Sequence, residues 1–160
     1  MRIAKKLIIG MIICQLSHLS QGAEVDLIKT NLVKINCNQG QNLEAIIDGV
    51  IGGTELWRAP YSPPAWIEID LGAIKNISRI NLFMYWAGKR YYQYYIEGSS
   101  DGKTWKILAD TRNKELISTR AGYLHMISVP ARFIRITFVY NSINSEIHVY
   151  EVEIYGNDSE

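Results

Sequence analysis

Two short stretches in the middle of the chain alternate strictly between apolar and polar residues, and they constrain the fold more than any other feature. The first covers residues 66–71 and the second residues 77–82, with Gly72 in the connection between them. Alternation with a period of two places apolar side chains on one face of a strand and polar side chains on the other. Each stretch is therefore predicted to be a half-buried β-strand, with a short turn between the two.

The rest of the chain continues this pattern after an irregular start at residues 23–30. The second strand is expected to extend to residue 85, and further strands are predicted at residues 31–36, 93–98, 105–109, 122–129, 132–140 and 147–155. Asp101 followed by Gly102 predicts a hairpin turn, and Pro130, which has no N–H to donate, marks a junction or an edge. The spacing of Leu43 and Ile46 favours a short helical turn. The series predicts an all-β fold, an antiparallel β-sandwich.

The core is predicted from the large apolar residues of these strands. A fully buried side chain of this size contributes roughly 1.5–3 kcal/mol to stability. The predicted core residues are Trp66, Ile67, Ile69, Leu71, Ile80, Leu82, Ile96, Trp105, Ile107, Phe133, Ile134, Ile136, Val152 and Ile154. Arg132 and Arg135 lie among them and are expected to point to solvent or to pair across strands.

Residues 1–22 have the order of a secretory signal peptide: basic residues, a short apolar run, and then small residues near Gly22. Cleavage after Gly22 or Ala23 would leave one domain at residues 23–160, located outside the cell, in the periplasm or on the cell surface. The chain has 17 basic and 16 acidic residues, and removing the three basic residues of the leader leaves a net charge of −2. This near-neutral charge gives no electrostatic reason to expect nucleic acid or an anionic membrane as a partner.

Cysteine does not provide an intramolecular disulfide in the mature chain. Cys14 lies in the predicted leader, so Cys37 remains alone. A buried thiol that packs as a small hydrophobe is the favoured interpretation, and an intermolecular disulfide is the alternative.

Six pieces of the sequence follow one another in a recognisable order: residues 45–49, Trp57, and residues 66–72, 95–105, 131–136 and 151–156. In this order they resemble the coagulation factor V/VIII type C family, also called discoidin domains, which includes the family 32 carbohydrate-binding modules. The resemblance implies a jelly-roll β-sandwich of the galactose-binding-domain type. It also implies a non-catalytic module that binds a glycan or polysaccharide through loops at one end of the sandwich. The family's sugar-binding histidine near the end of the strand at residues 80–85 has no counterpart here, so the sugar stays open.

The family's ligand loops correspond to residues 57–64, 85–92 and 140–148. Aromatic faces cover the C–H patches of sugar rings, while arginine, asparagine and histidine form directional hydrogen bonds to hydroxyls. The candidate ligand residues are Trp86, Arg90, Asn141, Asn144 and His148, followed by Tyr85, Arg58 and Tyr61. His148 is equally well explained as a structural side chain, and about half of the tyrosines at positions 91, 92, 94 and 95 should face inward.

The resemblance further implies a structural Ca²⁺ held by Asp48, Thr54 and Glu151, since calcium prefers hard oxygen ligands from loops.

No catalytic motif supports turnover, because the sequence has no nucleophile elbow, zinc-binding helix or phosphate-binding glycine loop. The alternative function is adhesion through a protein partner or a membrane surface. Adhesion to a membrane surface requires exposed hydrophobic side chains with basic neighbours. The candidates are Trp57 with Arg58, and Trp86 with Lys89 and Arg90.

Overall fold

The computed structural model describes residues 23–30 and 32–158; the predicted signal peptide, with Cys14, and Asn31 at the start of a predicted strand lie outside these residues. The elements in chain order are β1 (Val25–Asp26), α1 (Leu27–Thr30), β2 (Lys34–Cys37), a 3₁₀ helix (Leu43–Ile47), β3 (Trp57–Pro60), β4 (Ala65–Met84), β5 (Tyr92–Ser99), β6 (Lys106–Asp110), β7 (Tyr123–Asn141) and β8 (Glu146–Asp158). All pairs of these strands are antiparallel.

β4 and β7 are long strands that pair with each other along most of their length and belong to both layers of the sandwich. The prediction of two strands joined by a turn at Gly72 was wrong, because β4 runs without a break through that glycine. Gly72 has a φ of 80°, and the β4–β7 register shifts between Asp70 and Lys75. A glycine in the left-handed region lets the strand bend without ending. Pro130, opposite Asn76, likewise lies inside β7 next to this bend.

The two layers follow from how the halves of β4 and β7 are paired. In the first layer, β2 pairs with the first half of β4, which pairs with the second half of β7, followed by β5 and β6. In the second layer, the first half of β7 pairs with the second half of β4, and this half of β4 pairs with β8. β8 also pairs with β1 and β3. The arrangement is the antiparallel β-sandwich that the alternating pattern predicts.

The core lies between these layers and contains most of the predicted residues. Four predictions were wrong: Trp66, Trp105 and Phe133 are half-buried, and Ile107 is 55% exposed. Trp66 alternates with the buried Ile67, so it must face outward with Glu68. On this outer face the Arg135 guanidinium lies 4.0 Å from the Trp105 ring centre and 5.2 Å from that of Trp66, and pairs with Glu68 at 2.6 Å. The prediction of cross-strand pairing for Arg135 is thus confirmed.

The N-terminal segment is ordered, contrary to the expectation of an irregular start. β1 pairs with β8, and Leu27 and Ile28 of α1 are buried in the core. Trp57 is also completely buried, in β3, which removes it as an exposed hydrophobe for membrane contact.

Local turn chemistry behaves as predicted. The 3₁₀ helix lies where a helical turn was expected, and Gly102 adopts a φ of 70° beside Asp101. The free thiol of Cys37 is half-buried against the core. Within the described residues, no helix is long and apolar enough to cross a membrane.

Candidate functional site

A depression with a volume of about 400 Å³ lies at one end of the sandwich. Its size is within the range of small-ligand sites in proteins, roughly 300–1,000 Å³. Both arginine and aromatic side chains contribute to its wall. The lining residues are Gly53, Thr54, Leu56, Arg58, Tyr85, Arg90, Asn144 and His148.

Strand pairing brings these distant parts of the chain together. Arg58 on β3 is directly opposite His148 on β8 in the ladder. Tyr85 immediately follows β4, and its backbone N–H donates to the His148 carbonyl at 3.1 Å. Asn144 lies in the short connection between β7 and β8. The depression is therefore built where four strand ends meet.

Arg90 is held in place by the loop that precedes β5. Gly88 and Lys89 both have positive φ values, 81° and 53°, which turn the chain back toward the site. The Arg90 Nε–H donates to the Ala87 carbonyl at 2.7 Å, and its guanidinium lies 4.6 Å from the ring centre of Tyr85. Only 8% of Arg90 is exposed. The guanidinium is thus fixed before any ligand arrives.

His148 is buried, and its two ring nitrogens face different partners. Nδ1 lies 3.4 Å from the Tyr92 hydroxyl, and Nε2 lies 3.5 Å from a carboxylate oxygen of Glu146. Burial lowers the pKa of His148, and the positive charge of Arg90 lowers it further. The Glu146 carboxylate can only accept and therefore favours a proton on Nε2, whereas the Tyr92 hydroxyl donates to the Tyr85 carbonyl at 3.2 Å. His148 is therefore both a structural side chain and part of the wall.

Asn141 supports the site without lining it. This residue is 2% exposed, and its Nδ2 donates to the Asn144 side-chain oxygen at 2.7 Å and to the Glu146 carbonyl at 2.6 Å. The Glu146 backbone N–H also donates to the Asn144 side-chain oxygen, at 3.1 Å. With Oδ1 occupied, the Asn144 Nδ2 is the end left without a partner among the described residues. Asn144 is thus oriented to offer a donor.

Trp86 lies beside the depression rather than in its lining. The half-buried indole packs on the Tyr150 ring, with 5.0 Å between ring centres. A Cβ added at Gly52 would lie 3.3 Å from the same indole, so the 51–53 segment passes close to it. Tyr61 packs on Tyr140, at 5.9 Å between ring centres. Trp86 and Tyr61 remain predicted ligand residues, but the depression does not include them.

The structure thus brings five predicted ligand residues into one wall: Arg58, Tyr85, Arg90, Asn144 and His148. Thr54, predicted as a calcium ligand, joins them. Gly53 and Leu56 were not predicted, since neither carries chemistry that a sequence pattern would single out.

The proposed calcium ligands Asp48 and Glu151 lie close to each other at the end of the 3₁₀ helix. Glu151 is 1% exposed, and its carboxylate accepts the Gly49 N–H at 3.0 Å. Burial raises the pKa of Glu151 to about 7, and the charge of Asp48 adds to that effect. No three His, Cys, Asp or Glu residues of the described chain form a metal-binding group. The two carboxylates fit a hard cation whose other ligands would be backbone carbonyls and water.

Chemically, the depression combines two surfaces. Tyr85 and Leu56 provide apolar area, and Arg58, Arg90 and Asn144 provide hydrogen-bond donors. Aromatic area with a few convergent donors is the usual composition of a small-molecule binding site.

Comparison with known proteins gives the family. The F5/8 type C domain model matches residues 31–152. BTB/POZ domain-containing protein 9 of Drosophila melanogaster is 28% identical over 123 residues, which is 73% of this chain and 17% of that protein.

Two solved structures resemble the fold. A family 89 glycoside hydrolase from Clostridium perfringens, bound to GlcNAc-alpha-1,4-galactose, is 28% identical with a TM-score of 0.72 over 84% of this chain and 15% of that chain. The family 32 carbohydrate-binding module of AlyQ, bound to 4,5-unsaturated mannuronic acid, is 27% identical with a TM-score of 0.67, over 76% of this chain and 92% of that module. The chain spans less than a fifth of the fly protein and of the hydrolase, but nearly all of the module. With its antiparallel sandwich and the match over residues 31–152, this chain belongs to the F5/8 type C domain family.

Proposed function

We propose that this protein is a non-catalytic carbohydrate-binding domain and that the depression is its sugar site. The observation that carries the proposal is the convergence of Tyr85, Arg58 and Asn144 in one concave wall. Tyr85, with Arg90 stacked on its ring, and Leu56 offer apolar area for sugar C–H groups, and the two polar side chains offer donors to hydroxyls. Such a division between apolar and directional contacts suits a sugar better than a purely apolar ligand.

The relatives support the same proposal. The AlyQ module was solved with a mannuronic acid derivative, and the hydrolase with a disaccharide substrate. Likeness to a complete binding module, rather than to a catalytic domain, supports a binding role for this chain. Because so little of the hydrolase is matched, its hydrolytic activity is not carried over.

Binding at this site should be weak for a single sugar. Few contacts are buried in an open depression, and hydroxyls must lose water, so we expect dissociation constants between micromolar and millimolar, or roughly 4–8 kcal/mol. Retention on a glycan-coated surface would then depend on several copies binding together.

We further propose that residues 1–22 direct export of the protein, and that a structural Ca²⁺ is held by Asp48 and Glu151, with Thr54 as the third ligand.

A glycan array probed with the protein displayed multivalently tests the sugar site. The variant Asn144→Asp keeps the side-chain oxygen that Asn141 and Glu146 use, but replaces the free donor with an acceptor. Signals for wild-type protein should fall at least tenfold in Asn144→Asp. Asn113→Asp, the same change at an exposed position outside the lining, should bind like the wild type.

If the folded wild-type protein binds no glycan on the array, the carbohydrate proposal is refuted and a protein partner is favoured. Equal binding by Asn144→Asp would refute the depression as the site. Folding of each variant is checked by its thermal unfolding curve.

A further inference from the structure

We propose that the depression selects acidic sugars, meaning sugars that carry a carboxylate or a sulfate, over neutral sugars of the same shape. The inference rests on the proposed function and names the ligand class for that site. It follows from the charges of the lining, which are all of one sign.

Two arginines face the depression without a counter-charge. No carboxylate of the described residues lies within ion-pair distance of Arg58 or Arg90, and none of the lining residues is acidic. Four other arginines are each paired with a carboxylate: Arg79 with Glu24, Arg112 with Asp110, Arg132 with Asp70 and Arg135 with Glu68. Three arginines of the described residues have no ion pair: Arg58 and Arg90, which line the depression, and the exposed Arg120, which lies outside it.

Two carboxylates lie next to lining residues, and each has a partner other than the arginines. Glu146 lies against His148 Nε2 at 3.5 Å, and Glu55, which is next to Thr54 in sequence, accepts from the Asn42 amide at 3.4 Å. The positive field is also visible at His148, where Arg90 and Arg58 both lower the pKa of the imidazole and Glu146 opposes them. The lining itself carries two positive charges and no negative charge.

Burial makes the uncompensated charge of Arg90 important. With 8% exposure, its guanidinium has lost most of its water. The groups that hold it are the Ala87 carbonyl, the Tyr85 ring and the Tyr92 hydroxyl, all of which are neutral. A buried charge without a partner is unfavourable until an anion arrives. Guanidinium binds carboxylate or sulfate oxygens with paired, charge-assisted hydrogen bonds, so an acidic ligand gains more here than a neutral one.

A matched series of sugars tests the proposal on the whole protein. Galactose, glucose and mannose are each presented multivalently in four forms that differ at carbon 6: the neutral alcohol, the uronic acid, the methyl ester of that acid, and the 6-sulfate. In at least one epimer, an acidic form should bind about tenfold more tightly than the neutral forms in low salt. The difference should shrink in high salt, because salt screens charge. The uronic acid and sulfate arms separate the two sources of charge.

Two variants of one exposed residue separate charge from shape. Arg58→Gln removes a charge and should reduce the preference for the acid over its methyl ester, whereas Arg58→Lys should keep part of it. Lys103→Gln removes the same charge at the turn after β5, which is the other end of that strand from Arg90, and should leave the preference unchanged.

Two results would overturn the proposal. If methyl esters or neutral sugars bind as well as the acids, charge selection is wrong, although the carbohydrate function stands. If no sugar in the series and none on the glycan array binds the folded protein, the proposed function falls as well.

Discussion

Tyr94 and His125 form a hydrogen bond at the edge of the core, and it makes stability depend on pH. The completely buried Tyr94 hydroxyl lies 2.8 Å from His125 Nε2, which must accept when the phenol donates. Burial lowers the pKa of His125, and the positive charge of Lys114 adds to this. Below about pH 6.5 the unfolded chain takes up a proton at this histidine more readily than the folded chain does.

We therefore expect His125 to contribute stability above pH 6.5 that is lost as the pH falls toward its lower folded pKa. The loss has a limiting slope of about 1.4 kcal/mol per pH unit. Urea unfolding at pH 7.5, 6.5 and 5.5 measures it, with His125→Gln as the variant that cannot titrate. Other groups titrate in both proteins, so the difference between the two curves isolates His125. A difference that does not change with pH would contradict the prediction.

Residue identities in the site could be predicted only in part from the sequence. The family resemblance predicts the loops, and alternation correctly predicts that about half of the tyrosines at positions 91, 92, 94 and 95 face inward; these are Tyr92 and Tyr94. The side chain that faces the depression depends on local backbone geometry, such as the positive φ at Lys89, and on support from the buried Asn141. Neither leaves a periodic signal, which explains why Leu56 was missed and why Thr54 was not predicted to line the depression.

At the level of elements, the contact between β8 and β4 requires glycine at position 156. A Cβ there would lie 2.1 Å from the Asn76 carbonyl oxygen, which belongs to the backbone and cannot rotate away. Gly156→Ala should therefore lower the free energy of unfolding by about 2–4 kcal/mol, the range of severe packing and backbone defects.

Urea unfolding of Gly156→Ala beside Gly53→Ala measures this effect. A Cβ at Gly53 meets nothing within 4 Å, so its expected cost is only that of a φ of 92°, about 1 kcal/mol. Equal losses in the two variants would contradict a steric role for position 156.

The outer face of the first layer depends on the planar shape of Arg135. Its guanidinium contacts two indoles and pairs with Glu68. Lysine keeps the charge but cannot stack, so Arg135→Lys should cost about 1–2 kcal/mol in chemical denaturation. Arg120→Lys, at an exposed position, should cost close to nothing. A similar loss in both would show that stacking contributes little.

The elements themselves were largely predictable, and their continuity was not. Period-two alternation predicted both halves of β4 and of β7. It did not show that each pair of halves is one strand, because a glycine or a proline at a bend has the same sequence signature as a turn. β1 was missed because two residues carry no measurable period, and β3 was missed because the family resemblance assigned residues 57–64 to a ligand loop.

At the scale of the whole molecule, calcium at Asp48 and Glu151 should raise thermal stability. A ligand that binds only the folded state stabilises by about 2.7 kcal/mol at 100 times its dissociation constant. We expect the melting temperature of chelator-treated protein to rise as Ca²⁺ is added. Glu151→Gln, which keeps the acceptor for Gly49 but removes the charge, should melt at a temperature that calcium does not change. A wild-type melting temperature unaffected by Ca²⁺ would rule out a stabilising calcium site.

The central claim is that sugars bind in the depression, and nuclear magnetic resonance of labelled protein tests it most directly. Galactose, glucose, mannose and their uronic acids are added in turn, up to ~10 mM because weak binding is expected. At least one of these sugars should shift the NMR signals of the Tyr85 and Arg90 backbone amides and of the Asn144 side-chain amide. The indole signals of Trp66 and Trp105 on the outer face should stay unchanged. Shifts confined to those indoles, or none with any of the six sugars, would contradict the claim.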